Sequence, residues 1–145
     1  MKALIQRVQR GSVSVEGREI GAIGRGYVVL LGVKQGDTVE DAGYLAEKTA
    51  ALRIFPDEQL RMNRSIMEIG GSILVISQFT LHADTRKGNR PSFIDAAPPD
   101  VANPLVDFFV DQLNQLGVTT LKGQFGAHML VEIANDGPVT IQLQA

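Results

Sequence analysis

Residues 70–81 read GGSILVISQFTL, and the reading of this stretch decides how the rest of the chain is placed. After the double glycine, Ile73 to Ile76 is a short unbroken apolar run, as expected at the centre of a buried strand. Ser77, Gln78 and Thr80 then set three hydrogen-bonding side chains around a lone Phe79. A core strand ending this way either satisfies its own backbone with hydroxyls or opens a pocket where free N–H groups sit beside polar side chains. The local pattern leaves both readings open.

Upstream, apolar and polar residues alternate with period two through Leu4, Gln6 and Val8, and again through Val13 and Val15 around Ser12 and Ser14. This is the pattern of half-buried strands. Glu16-Gly17-Arg18-Glu19 reads as a hairpin turn and Gly24-Arg25-Gly26 leads into the apolar run at 27–33, so a meander is expected over the opening third. Thr38, with Asp41 three positions on, resembles a capping box, and Ala42, Leu45, Ala46, Thr49 and Leu52 follow at helical spacing. Phe55-Pro56-Asp57 breaks that helix and leaves a loop or short hairpin to Arg64.

Downstream, residues 82–99 are rich in charge, proline and glycine, an exposed connection of functional length. Leu105, Val106, Phe109, Val110, Leu113 and Leu116 then mark an amphipathic helix starting at Asp100 and stopped at Gly117, with Pro104 expected in its first turn. Strands at 118–123, 128–134 and 139–143 finish the chain, the last two separated by the turn signal Asn135-Asp136-Gly137-Pro138. This order predicts one α+β domain over residues 1–145, mainly antiparallel sheet curled around a core with two main helices packed outside.

With 145 residues, 44% hydrophobic and 21% charged, the chain lies in the globular range. The absence of cysteine excludes a disulfide framework and a thiolate nucleophile, and the two histidines, His82 and His128, match no metal-ligand spacing. Neither metal nor cofactor is expected. The opening MKALIQRVQR breaks its apolar residues with charge, unlike a signal peptide or a membrane span, so a cytoplasmic location is expected. A net charge of −2 argues against coating nucleic acid through bulk charge, yet Arg7, Arg10, Arg86, Lys87 and Arg90 offer local sites for an anionic partner. Thr80 is a candidate nucleophile only with a base beside it; His82 would share its face if the chain stays extended.

Two motifs go further. SQFTL at 77–81 and NDGPVT at 135–140 resemble the paired signature motifs of the D-aminoacyl-tRNA deacylases, and RIF at 53–55 and RPSF at 90–93 fall where that family has them. The likeness runs the length of the chain, and neither motif departs from the family pattern. It implies a barrel-like sheet core and a homodimer that hydrolyses the ester between a D-amino acid and the terminal adenosine of tRNA, and also clears glycine from tRNA. It further implies that Ser77, Gln78, Phe79 and Thr80 form the catalytic pocket and that Gly137 and Pro138 form a Gly-cisPro element reaching in from the partner subunit to reject L side chains. Phe125, Met129, Val139 and Thr140 would complete the substrate pocket, with the ribose 2′-hydroxyl of the tRNA assisting the water. Arg7, Arg86, Lys87 and Arg90 become candidate tRNA contacts. Two alternatives stand beside this: a noncatalytic module that binds the RNA end, and a hydrolase using Thr80 covalently.

Overall fold

Strand β1 (Lys2–Val15) has both edges in use. In the computed structural model, which describes residues 1–145, β8 (Met129–Gln144) runs antiparallel to β1 along its whole length, from Lys2 opposite Gln144 to Val15 opposite Met129. Strands β2 (Arg18–Ile23) and β3 (Gly26–Gly32) both run antiparallel to β1: Gly11 faces Ile23, and Val8 faces Gly26. The register is therefore continuous, and β2 and β3 lie end to end along the edge that β8 leaves free. This corrects the expected meander. Turn chemistry at Gly24-Arg25 says that the chain bends there, but not that it keeps to one line.

Beyond β3 the sheet turns parallel. Strand β6 (Ser72–Ser77) pairs with β3 from Gly26 opposite Ser72 to Leu31 opposite Ser77, and the short β7 (Thr120–Lys122) extends it on the far side. The apolar runs of β3 and β6 have a common cause, since both strands are buried on both faces. Tyr27, Val29, Leu31, Ile73 and Val75 belong to the larger core beneath the helices, while Val28, Leu74 and Ile76 point the other way and pack with Val8, Val13 and Ile23. The sheet curls over this second cluster into a nearly closed barrel-like form, with Met129, Val131 and Ile133 of β8 packing against it.

The larger core is roofed by two helices. Helix α1 (Val39–Ala51) buries Ala42, Leu45, Ala46, Thr49 and Ala50, and its capping box is present: Asp41 N–H donates to Thr38 Oγ1 at 3.4 Å and Thr38 N–H to Asp41 Oδ2 at 2.8 Å. A four-residue helix, α2 (Ile66–Ile69), lies outside the sequence expectation; its signal was a second capping box, Ser65 with Glu68. Between α1 and α2, β4 (Phe55–Pro56) and β5 (Met62–Arg64) form the short hairpin, and Phe55 stacks on Tyr27 at 5.1 Å. Helix α3 (Pro99–Gln115) buries Ala102, Leu105, Val106, Phe109, Val110 and Leu113. It starts at Pro99, and Pro104 lies inside the helix beyond its first turn, not within that turn as expected. The apolar face holds that turn although the proline donates no hydrogen bond there.

A second correction concerns residues 135–138, which do not reverse the chain. Thr140 faces Gln6 and Asn135 faces Val8, so β8 carries extra residues against the same partner strand and bulges outward. Glycine and proline serve a turn or a bulge equally well, and the pairing of both flanks with β1 selects the bulge.

Candidate active site

The last pairing of β6 sets the site. Gln78 N–H donates to Leu31 O at 2.8 Å, and the chain then tightens into a single 3-10 turn, Phe79–His82. Within it Leu81 N–H donates to Gln78 O at 3.2 Å, and Ala83 N–H closes onto Thr80 O at 3.1 Å. The N–H groups of Phe79 and Thr80, the leading donors of the turn, have no partner within it. The turn sits close on β3: a Cβ on Gly32 would lie 2.9 Å from Gln78 O and 3.1 Å from His82 Nε2, so only glycine fits.

Gln78 spends its amide on Thr80 Oγ1. His82 is buried, and its Nε2 has no partner. The extended-chain pairing of Thr80 with His82 is not formed, because a 3-10 turn brings residues three apart, not two, onto one face. Thr80 thus has no base at hand for nucleophilic work.

A cavity of about 550 Å³ opens beside the turn. Ser77, Gln78 and Phe79 form one wall, Phe125, Ala127, His128 and Met129 another, and Phe93, Ala96 and Ala97 of the long connection a third. Its only titratable side chain is His128, which is solvent-exposed. The cavity thus gathers Ser77, Gln78, Phe79, Phe125 and Met129 from the expected set, while Thr80 holds Gln78 from behind. Phe93 stands outside the expected site set, yet its ring meets that of Phe79 edge to face, with centroids 5.0 Å apart. Its sequence signal was its place in the RPSF segment, directly after the basic loop.

Gly137, Pro138, Val139 and Thr140 do not line this cavity. Gly137 and Pro138 form the exposed crest of the β8 bulge, joined by a cis peptide bond, with Gly137 at φ 122°. The base of the bulge is tied across: Val139 N–H donates to Asn135 Oδ1 at 3.2 Å, while Asn135 Nδ2 at 3.1 Å and Gln6 Nε2 at 3.4 Å donate to Thr140 Oγ1. Arg7 braces the flank. Its Nε reaches both the carbonyl and the carboxylate of Asp136 at 3.3 Å, and its Nη1 donates to Ile54 O at 2.5 Å. With the side chain only 11% exposed, this guanidinium is committed to the chain itself and not to surface contacts.

The remaining basic candidates differ among themselves. Arg86 forms a two-pronged pair with Asp84, at 2.9 and 2.7 Å, and these bonds hold the Asp84 carboxyl down to about 2. Asp84 and Ser92 also exchange backbone hydrogen bonds at 2.8 and 2.9 Å, closing the loop between them. Lys87 and Arg90 are exposed and take part in no ion pair, while Arg10 lines a separate depression with Glu19 and Glu132. No three His, Asp or Glu side chains come together as a metal site would require, and no helix is long and apolar enough to cross a membrane.

A family model described as D-Tyr-tRNA(Tyr) deacylase matches residues 4–144. The chain belongs to that family. A D-aminoacyl-tRNA deacylase of Heliobacterium modesticaldum is 61% identical over 99% of this chain and 96% of its own length, and one of Roseiflexus castenholzii is 60% identical over 100% and 92%. Among solved structures, one described as c-Myc DNA Unwinding Element Binding Protein superposes with a TM-score of 0.94 at 43% identity, covering 100% of this chain and 99% of that one. The fold is also that of a probable eukaryotic D-amino acid tRNA deacylase, at a TM-score of 0.83 and 18% identity over 99% of this chain and 98% of that one. Within the deacylase family, the SQFTL segment of this chain is the strand end and turn beside the cavity, and the NDGPVT segment is the bulge.

Proposed function

We propose that this chain, acting as a single domain, is an editing hydrolase that cleaves the ester between a D-amino acid and the terminal adenosine of tRNA. The observation that carries the reading is the pair of N–H groups that open the 3-10 turn, Phe79 and Thr80, beside an apolar cavity in a member of this family. Water adds to the ester carbonyl carbon, negative charge gathers on the carbonyl oxygen, and the ribose oxygen leaves as a hydroxyl while the amino acid departs as its carboxylate. Phe79 and Thr80 N–H donate to the charged oxygen; one donor of this kind is worth ~10²–10³ in rate. Ser77 and Gln78 hold the polar end of the substrate, and Phe125 and Met129 pack against the adenine. As the family resemblance implies, the ribose 2′-hydroxyl of the tRNA orients the attacking water; the cavity, lined by no carboxylate or amine and by the single imidazole of His128, supplies position and charge stabilisation.

Stereochemical selection comes from a second copy of the chain in a closed two-fold dimer. The exposed crest at Gly137-Pro138, based on Val139 and Thr140, enters the partner's cavity and closes the side that an L side chain would occupy. D side chains and glycine pass. Lys87, Arg90 and the loop shaped by Arg86 meet tRNA phosphates, in the cytoplasm where aminoacyl-tRNA is made.

The test is deacylation of D-Tyr-tRNA, L-Tyr-tRNA and Gly-tRNA by the purified protein, with and without chelator. Rapid loss of the D and glycyl esters, sparing of the L ester and indifference to chelator are expected. Binding without turnover would replace the enzyme by an RNA-end binding module, and equal loss of D and L esters would remove the selective role of Gly137 and Pro138.

A further inference from the structure

The long connection between the 3-10 turn and α3 presents two different faces. Phe93, Ala96 and Ala97 face the cavity, whereas Asp84, Arg86, Lys87, Arg90 and Asp95 line a polar groove behind it. The groove has two parts of about 600 Å³ each, joined at Asp84 and Arg86. The backbone bridge between Lys34 and Ala96 forms the ridge between cavity and groove, with Val33 on the cavity side and Lys34 on the groove side.

The charges in this groove are not balanced. Lys2, Lys34, Arg86, Lys87 and Arg90 face the three side-chain carboxylates Asp37, Asp84 and Asp95. Two of those carboxylates are already committed: Asp37 accepts from the Met1 amine at 2.7 Å and from Lys34 N–H at 2.6 Å, and Asp84 holds Arg86. Lys34, Lys87 and Arg90 are exposed and enter no ion pair. In a chain of net charge −2 this is a local excess of positive charge, one turn of backbone from the N–H groups that open the 3-10 turn.

We infer that this groove takes the phosphodiester backbone of the single-stranded RNA end whose last nucleotide fills the cavity. The inference rests on the deacylase reading and adds a second bank, Lys34 with Lys2, to the loop that carries Lys87 and Arg90. A strand with its terminal base in the cavity crosses the Lys34–Ala96 ridge and lays the preceding phosphates between the two banks. Lysines on flexible stems suit this role, since they act as point charges and read no sequence. Arg86, pinned by Asp84, shapes the bank.

The experiment follows kcat/KM against salt, from about 50 to 200 mM, for two substrates: D-Tyr-tRNA and the D-tyrosyl ester of adenosine, which has no upstream phosphate. The wild-type protein should be steeply salt-dependent on the tRNA and nearly flat on the adenosine ester. Lys34→Ala and Lys87→Ala should each make the tRNA slope shallower by ~0.7, the value for one single-strand phosphate contact. Lys34→Glu with Lys87→Glu should raise KM for the tRNA about tenfold. Turnover of both substrates with slopes in both alanine variants equal to the wild type would overturn the groove alone. Absence of wild-type turnover on both substrates would overturn the deacylase reading beneath it.

Discussion

Replacing Gly32 by alanine tests whether the two free N–H groups are held in place by the contact between β3 and the 3-10 turn. The added Cβ would sit 2.9 Å from Gln78 O and 3.1 Å from both His82 Nε2 and Leu81 Cβ, where an ordinary contact begins at 3.4 Å. Relief therefore requires the turn to move off β3 by about 0.5 Å, because a backbone oxygen anchored by its own peptide cannot rotate away. The movement strains the Gln78 N–H to Leu31 O bond and carries Phe79 and Thr80 with it. Overpacking of this kind costs about 1–3 kcal/mol of stability. A misplacement of 1 Å at a reacting centre can cost ~10²-fold, so half of that displacement should lower kcat about tenfold. The assay is single-turnover deacylation of D-Tyr-tRNA at saturating enzyme, with a thermal melt of each variant. Gly43→Ala in α1 is the control, because the nearest atom to its new Cβ is 3.7 Å away and alanine favours the helix. A Gly32→Ala protein that melts lower but keeps kcat within twofold of the wild type would refute the argument, since the turn would then have moved without consequence for the chemistry.

Three further outcomes are expected. Phe93→Leu removes the edge-to-face contact with Phe79, worth about 0.5–1.5 kcal/mol, and should raise KM several-fold, with Phe93→Tyr restoring it; unchanged steady-state kinetics in Phe93→Leu would exclude a role for that wall. Arg7→Ala leaves the carbonyls of Asp136 and Ile54 without their donor, so the melt should register a loss of about 1–3 kcal/mol and D-over-L discrimination should fall as the bulge loosens; full retention of both would sink the bracing role. Asp84 titrates at about 2, below its unfolded value of roughly 3.9, so its contribution is complete above the unfolded value and is lost as pH falls through the folded one. The loop closed by Asp84 and Ser92 should accordingly stay closed at pH 5, and a carboxyl-carbon NMR titration with its midpoint near 4 would contradict the pairing with Arg86.

Local chemistry made some of this visible in the sequence and hid the rest. The capping pair Thr38 and Asp41 fixed the start of α1 because a cap is complete within four residues. The double burial of β3 and β6 was legible as unbroken apolar runs. What went unread depended on partners far along the chain. That β2 and β3 share one edge of β1, and that residues 135–138 bulge without turning, follow from which strand pairs with which, and no short pattern records that. The α2 cap at Ser65 and Glu68 is written in the sequence, but the helix behind it is not, because four residues carry too few apolar positions to show a period. At the site, SQFTL signalled a polar strand end, but Phe93 and His128 reach the cavity only through the packing of segments remote in sequence. Arg7 looked like a surface cation by residue type; its burial depends on a carbonyl 47 positions away and a carboxylate 129 positions away.

The pairing of β1 with β8 has a bearing on how this protein comes into being. The second residue of the chain is matched to the one hundred and forty-fourth, so that edge of β1 stays open until β8 has been synthesised. Contacts this distant in sequence slow folding, because a long loop must close before they reward it. During translation the early strands and α1 can gather while β1 waits with an exposed ladder of backbone groups, a surface on which nascent chains pair wrongly or recruit chaperones. The bulge that bears Gly137 and Pro138 takes shape only as β8 docks, so a chain cut short of it can retain much of the core and still lack the bulge.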